Sequence, residues 1–185
     1  MALSSVVNGI KDAIVATVKG ASDVMTAMQN AVKDQVVTGL KNVGEISTSS
    51  LDMVEDVAQG ALAAAKEIGG SVVDAAKETV MAIMVGTIDA GGDAIVAAEK
   101  AANGVVKGAA ELGGDIGAVA VNAVQGAIEA AGKTGKSADE AAKSAIKGAV
   151  EAADSIGSEA GTSVRNALKS AASLPKDLVE SALKG

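Results

Sequence analysis

An eleven-residue repeat is the feature that most limits how this chain can fold. Cut every eleven residues from Val7, the sequence gives sixteen consecutive units that end at Ala182. Positions one, four, seven, eight and eleven hold Ala, Val, Ile, Leu or Met in 62 of 80 cases, whereas positions two, five, six and nine carry 34 of the 39 charges. Because eleven residues make three helical turns, these two sets lie on opposite faces of an α-helix. The repeat therefore predicts an amphipathic helix along almost the whole chain.

The fold class predicted from this pattern is all-α, since the period-two alternation typical of strands is absent. We predict a single repeat domain over residues 1–185, built as one long helix with its register running over residues 7–182. The helix either continues unbroken or folds into a hairpin at 44–50, at 132–137, or at both. Segment 44–50 is rich in Gly and Ser, and Ser137 with Glu140 makes a capping-box pattern. Pro175 predicts a short C-terminal helix from about residue 174.

From Gly69 to Gly157, glycine recurs at position eight of every second unit, which gives a second period of 22 residues. If the helix is continuous, bulky residues of one helix would fit beside the glycines of another. The predicted helix-packing interface is Ile68, Gly69, Val80, Gly91, Leu112, Gly113, Val124, Ile146, Ile156, Gly157 and Leu168. The alternative is that sequences such as Gly91-Gly92-Asp93 end one helix and cap the next. We expect continuity, because the register survives every glycine pair.

Small residues form a shoulder between the apolar and charged faces. Positions three and ten are Gly, Ala, Ser or Thr in 25 of 32 cases. Two G-x-x-x-G matches, at Gly104–Gly108 and Gly113–Gly117, belong to the same trend. In a membrane this motif favours helix dimers, whereas here it predicts close contact between helices outside a membrane.

Composition excludes several classes of function. The chain has no Cys and no His, which removes disulfide frameworks, the usual zinc sites and histidine-based catalysis. A net charge of -7 without aromatic residues argues against nucleic-acid binding. Ser144 and Lys147 match S-x-x-K, and Gly132-Lys133-Thr134 is similar to the end of a Walker A loop, but neither has its accompanying motif. We therefore predict a protein that is not an enzyme and has no cofactor or metal.

The sequence has no run of 18 apolar residues, which a transmembrane helix would need. It also has no basic segment followed by an apolar block, which is the pattern of a signal peptide. We expect a cytoplasmic protein or one exported by a non-classical route. The eleven-residue amphipathic repeats, as in Ala130–Lys143, resemble those of synucleins, exchangeable apolipoproteins and group 3 late-embryogenesis-abundant proteins. The chain departs from them because it lacks the synuclein K-T-K-E-G-V core and is less hydrophilic than the late-embryogenesis proteins.

The central question for function is what covers the apolar face, because one amphipathic helix leaves its own stripe exposed. The cover is another segment of the chain, a second copy, or a lipid or other hydrophobic surface. The first hypothesis is a structural protein that self-assembles into a homo-oligomeric filament, tube wall or sheet. The resemblance implies two alternatives: an amphipathic coat of a lipid or polymer inclusion, and a protectant against desiccation or freezing.

Overall fold

Short glycine turns divide the chain into separate α-helices. The computed structural model describes residues 4–185, and within that range it contains helices and no strand. The helices are α1 (Ser5–Val18), α2 (Val24–Lys41), α3 (Met53–Glu67), α4 (Val72–Asp89), α5 (Ala94–Glu111), α6 (Ile116–Thr134), α7 (Ala138–Ile156), α8 (Ser158–Ser170) and α9 (Lys176–Lys184). A short 3-10 helix, Ser50–Asp52, leads into α3. The all-α prediction is confirmed, and the single long helix is wrong.

The helices end at glycines because the backbone there turns left-handed. Gly91 has φ +89° and Gly113 has φ +70°, a conformation that glycine adopts without a side-chain clash. The Gly113 N–H donates to Ala110 O at 3.1 Å, and the Gly114 N–H donates to Ala109 O at 2.8 Å. This pair of bonds is a Schellman motif, which satisfies the last carbonyl groups of the helix.

The residue two positions after the turn glycine caps the N-terminus of the next helix. The Asp115 carboxylate accepts the Ala118 N–H at 3.0 Å, and Ser71, Asp93 and Ser137 cap α4, α5 and α7 in the same way. The alternative interpretation of Gly-Gly-Asp as a helix end followed by a cap is therefore correct. The expected bend at 44–50 lies between α2 and α3, and the expected bend at 132–137 spans the end of α6 and the turn into α7. α9 begins directly after Pro175.

The helices form two layers. Consecutive helices pack as hairpins, and each helix also packs beside the helix two places further along: α1 with α3, α2 with α4, α3 with α5, α4 with α6, α5 with α7, and α6 with α8. The odd-numbered helices therefore form one layer and the even-numbered helices form the other. This is the arrangement of stacked helix pairs in α-helical repeat proteins. The structural unit is a helix with its turn, so the eleven-residue unit is not a structural repeat.

Each helix covers the apolar stripe of its neighbours, and α5 lies at the centre. None of the α5 residues is exposed. The buried core consists mainly of Ala and Val with a few larger side chains, among them Leu62, Ile83 and Ile146. Since these side chains are short, the helices pack closely to exclude water. Within residues 4–185, the cover for the apolar face is thus other segments of the same chain.

The turn glycines give a test of the helix boundaries. Gly113→Ala places a Cβ on a left-handed residue and is expected to lower the free energy of unfolding by about 1 kcal/mol. Gly132→Ala is the control, because Gly132 lies within α6 and an added Cβ there has open space. It should raise stability by roughly 0.5–1 kcal/mol. Urea unfolding of both variants measures this, and equal shifts of the same sign would contradict the assigned turn.

Candidate helix-packing interface

The glycines that were predicted to lie beside bulky residues of another helix are located in turns. Gly69, Gly91, Gly113 and Gly157 follow the C-terminal ends of α3, α4, α5 and α7, and a Cβ added to any of them meets no atom within 4 Å. The prediction that bulky residues of another helix fit beside them is therefore wrong for these four glycines. The 22-residue period that suggested it is the length of a helix with its turn. Glycine is present there for its backbone conformation, and no helix approaches it.

The bulky residues predicted for the interface divide into two groups. Val80, Val124, Ile146 and Leu168 lie within helices and are buried. By contrast, Ile68 and Leu112 are only partly buried at the helix ends, and Ile156 is 45% exposed. The mid-helix residues do contribute to helix packing, whereas the helix-end residues lie beside turns.

Close contact occurs instead at a second glycine series, which we call the contact glycines: Gly60, Gly104, Gly126 and Gly148. Each lies in the middle of a helix, against the backbone of the residue 49 positions earlier in the chain. A Cβ on Gly104 would be 2.6 Å from Glu55 O, and one on Gly60 would be 3.2 Å from Lys11 N. The first distance is shorter than a Cβ can tolerate, and the second would require the neighbouring helix to shift slightly. The contact glycines therefore let parallel helices of the same layer meet backbone to backbone.

The G-x-x-x-G prediction is confirmed at Gly104–Gly108. The two glycines are one helical turn apart on α5, and a Cβ on Gly108 would lie 3.2 Å from Gln59 Cα on α3. In the second match only Gly117 lies at a contact, with a Cβ there 2.9 Å from Ala167 Cβ of α8. The sequence signal for the contact glycines was the small-residue shoulder, since all four occupy position ten of the eleven-residue unit.

Ion pairs follow the same contacts along the chain. Five residues at position five of the unit, here called the ladder residues, bind the helix two places further: Lys11, Lys33, Glu55, Lys77 and Glu99. Their partners are Glu67 at 2.6 Å, Asp89 at 2.6 Å, Lys107 at 3.2 Å, Glu129 at 2.5 Å and Lys147 at 3.0 Å. Exposed ion pairs add little stability, so the ladder mainly favours one register of neighbouring helices.

Lys143 continues the odd-layer part of this ladder, after Lys11, Glu55 and Glu99. It forms no ion pair with any residue between positions 4 and 185. Within residues 4–185, the helix that follows α7 in its layer is the short α9, which offers Lys143 no ion-pair partner.

The candidate catalytic pair does not have the protonation that its chemistry needs. In Ser144-x-x-Lys147, the lysine would act as a base and must lose its proton. A hydrogen bond to Glu99, with the nearby charge of Glu151, instead raises the pKa of Lys147 above its ordinary value. Lys147 therefore stays charged and holds α7 against α5. Across the described part of the chain, no group of three or more acidic residues is placed to hold a metal ion.

Among residues 4–185, no helix combines the length and the apolar character that crossing a membrane requires. No protein-family model matches the chain, and no curated protein matches it significantly. The solved structures that it resembles include the crystal structure of a de novo designed helical repeat protein. The two are 22% identical, the match covers 85% of this chain and 88% of the designed one, and the TM-score is 0.42.

The contact glycines predict a large penalty for one added methyl group. Gly104→Ala is expected to push α5 away from α3 and to lower the free energy of unfolding by about 1–3 kcal/mol, the usual cost of overpacking. Gly9→Ala is the control, since Gly9 is also helical and nothing lies within 4 Å of its added Cβ. Denaturant unfolding measures the stability of both variants. If Gly104→Ala leaves the free energy of unfolding unchanged, α3 and α5 must be further apart than the structure shows.

The Asp154–Arg165 pair between α7 and α8 predicts a pH dependence. Two hydrogen bonds from Arg165, both 2.6 Å, lower the pKa of Asp154 from its ordinary value of 3.8. A carboxyl whose pKa is lower in the folded state stabilises the protein above its ordinary pKa and loses this effect as the pH falls through the folded pKa.

Asp154→Asn should therefore be less stable than the parent at neutral pH, and this difference should vanish in acid below the ordinary carboxyl pKa. Urea unfolding over a pH series measures it. Asp34→Asn is the control, since Asp34 is exposed and has no ion pair within the described residues. A difference that grows in acid would be evidence against the pair.

Proposed function

We propose that the protein is a structural, non-catalytic helical-repeat protein that self-associates through the uncovered side of α1. Four residues with helical spacing define this α1 edge: Val6, Gly9, Ala13 and Ala16. All but Ala13 are exposed, and Ala13 is partly so. The spacing i, i+3, i+7 and i+10 places the four on one face. An apolar face of this kind on a repeat unit is the part that a neighbouring unit normally covers.

The observation that carries the proposal is the equivalence of Ala16 to the contact glycines. Ala16 occupies position ten of its unit, as do Gly60 on α3, Gly104 on α5 and Gly148 on α7. Those three are buried against the preceding helix of the layer, whereas Ala16 is exposed. The α1 edge thus has a small-residue surface, although the Cβ of Ala16 would hold a neighbouring helix further away than the contact glycines do. No helix within residues 4–185 packs against this edge. A second copy would supply the missing helix.

The distribution of exposed apolar side chains favours the N-terminal end. Of the five large apolar side chains exposed among residues 4–185, four are Val6, Val24, Met25 and Val43, and the fifth is Ile156 at the end of α7. At the other end, α8 exposes the polar residues Glu159, Thr162 and Asn166. Repeat proteins need a polar outer surface on their terminal repeats to remain soluble. On α1, exposed polar residues such as Asp12 and Thr17 flank the α1 edge, whereas the edge itself is apolar, which favours association there.

The two alternatives have less support. Both the inclusion coat and the stress protectant rest on an apolar stripe that no protein segment covers in solution. Neighbouring helices cover that stripe along α3 to α7. A lipid surface would have to separate these helices before it could bind their apolar faces. Self-association needs only the α1 edge, so it is the function that we favour.

The test is the mass of the protein over a concentration series, measured by sedimentation velocity and light scattering. The parent is expected to associate reversibly, and Ala16→Glu is expected to remain monomeric because it places a charge in the contact. Lys136→Ala is the matched control: it changes the net charge equally, at an exposed turn residue. A parent that is monomeric at every concentration, or an Ala16→Glu variant that associates like the parent, would refute the proposal.

A further inference from the structure

We infer that the cavity between α7, α8 and α9 binds an amphipathic carboxylate, that is, an alkyl chain that ends in a carboxylate group. The cavity has a volume of about 520 Å³. Small-molecule sites typically have about 300–1,000 Å³. The residues that line it all lie between positions 143 and 185, so no part of the α1 edge takes part. The inference therefore goes beyond the proposed self-association and does not depend on it.

The cavity exists because α9 covers only part of α7. α9 has 9 residues, whereas α7 has 19. Val179 is the one buried residue of α9, and Leu183, one turn further, is only partly buried. Leu183 lines the cavity together with Ala182 and with Ile146 and Val150 of α7. An alkyl chain placed against these side chains would replace water there, and the removal of apolar surface from water favours binding.

The charged part of the lining is mainly cationic. Lys143, Lys147 and Arg165 line the cavity, and Glu151 is its one acidic residue. Three cations and one anion give the lining a net charge of +2, whereas the whole chain has a net charge of -7. A local excess of cations on an acidic protein attracts an anionic ligand. The lining thus combines an apolar part with a cationic part, which are the two features that an amphipathic carboxylate needs.

Lys143 is the residue that we assign to the carboxylate. Arg165 already donates two hydrogen bonds to Asp154, and Lys147 donates one to Glu99. Lys143 is exposed and has no ion-pair partner within residues 4–185. A carboxylate that binds Lys143 therefore breaks no existing ion pair.

The spacing along α7 indicates the length of the ligand. Lys143, Lys147 and Val150 have the spacing i, i+4 and i+7, which places them on one face of the helix. Lys143 and Val150 are separated by about 10 Å along the helix axis, at 1.5 Å per residue. An alkyl carboxylate of medium length spans this distance, whereas acetate does not.

The experiment titrates the full-length chain with octanoate and follows the methyl groups of Val150 and Leu183 by NMR. We expect saturable shifts at both residues. Octanol and octyltrimethylammonium should bind more weakly, since neither offers Lys143 a negative charge, and acetate should cause no shift because it has no tail. From hexanoate to octanoate, binding should tighten by up to about fourfold per added methylene, the effect of complete burial.

Lys143→Gln tests the contribution of the charge. It should weaken octanoate binding about threefold, as expected for an exposed ion pair, and should leave octanol binding unchanged. Lys41→Gln is the matched control, because it makes the same change at an exposed α2 residue that does not line the cavity. It should bind octanoate like the parent.

Val150→Phe tests the location of the site. Its larger side chain fills part of the cavity and should block octanoate and octanol alike. Circular dichroism checks that the variant remains helical. If Val150→Phe does not fold, Ala182→Leu replaces it, since Ala182 lines the cavity from α9.

Three results would overturn the inference: shifts confined to residues outside the cavity, equal binding of octanoate and octyltrimethylammonium, or equal binding by Lys143→Gln and Lys41→Gln. If Val150 and Leu183 instead shift with protein concentration alone, a second copy covers the cavity and the inference is also wrong. The Ala16→Glu variant should bind octanoate like the parent. Failure of octanoate binding and failure of self-association are therefore separate results.

Discussion

Backbone-to-backbone contact between parallel helices is the constraint on which the rest of the structure depends. A chain without aromatic residues buries little area per side chain, so its helices must approach closely to exclude water. Gly104 allows the backbone of α5 to contact the backbone of α3 at Glu55, and Gly126 allows α6 to contact α4 at Lys77. The ladder ion pairs lie beside these contacts, and their register follows from which residues the glycines bring together. The close distance between the helices limits which registers are possible, and the ion pairs then favour one of these registers.

The helical content and the inward-facing residues were predictable from the sequence, because both follow from local periodicity. The helix ends were not, although Gly91-Gly92-Asp93 contains both a helix stop and an N-cap. The physical reason is the length of the structural unit. From Gly69 onwards, a helix with its turn spans 22 residues, which is two eleven-residue units. A turn therefore leaves the register unbroken, and an intact register is compatible with either a continuous helix or a series of hairpins.

The packing site was only partly predictable, because position ten has two roles. In successive units it holds Gly60 at a helix contact, Ser71 at an N-cap, Ala82 within a helix and Asp93 at an N-cap. A helical wheel places all of these on one shoulder. Which of them face a neighbouring helix depends on the turn between them, which brings together residues 49 positions apart. Local periodicity contains no information about that distance.

Folding of the chain on itself changes where its function is to be sought. For a single long helix, the whole apolar stripe would be available to partners, so a filament, a lipid coat and a late-ordering protectant would be equally natural. In the layered structure, helices from α3 to α7 have neighbours on both sides, and the α1 edge stays open. α9 covers the opposite edge with half the length of the helix beneath it. Because the internal contacts repeat one geometry, a surface that binds another copy by the same rule would lie at an end of either layer, which are the outer faces of α1 and α2 and those of α7 and α8. Function is therefore to be sought at the ends of the layers, where the packing rule that covers α3 to α6 on both sides leaves helix surface open.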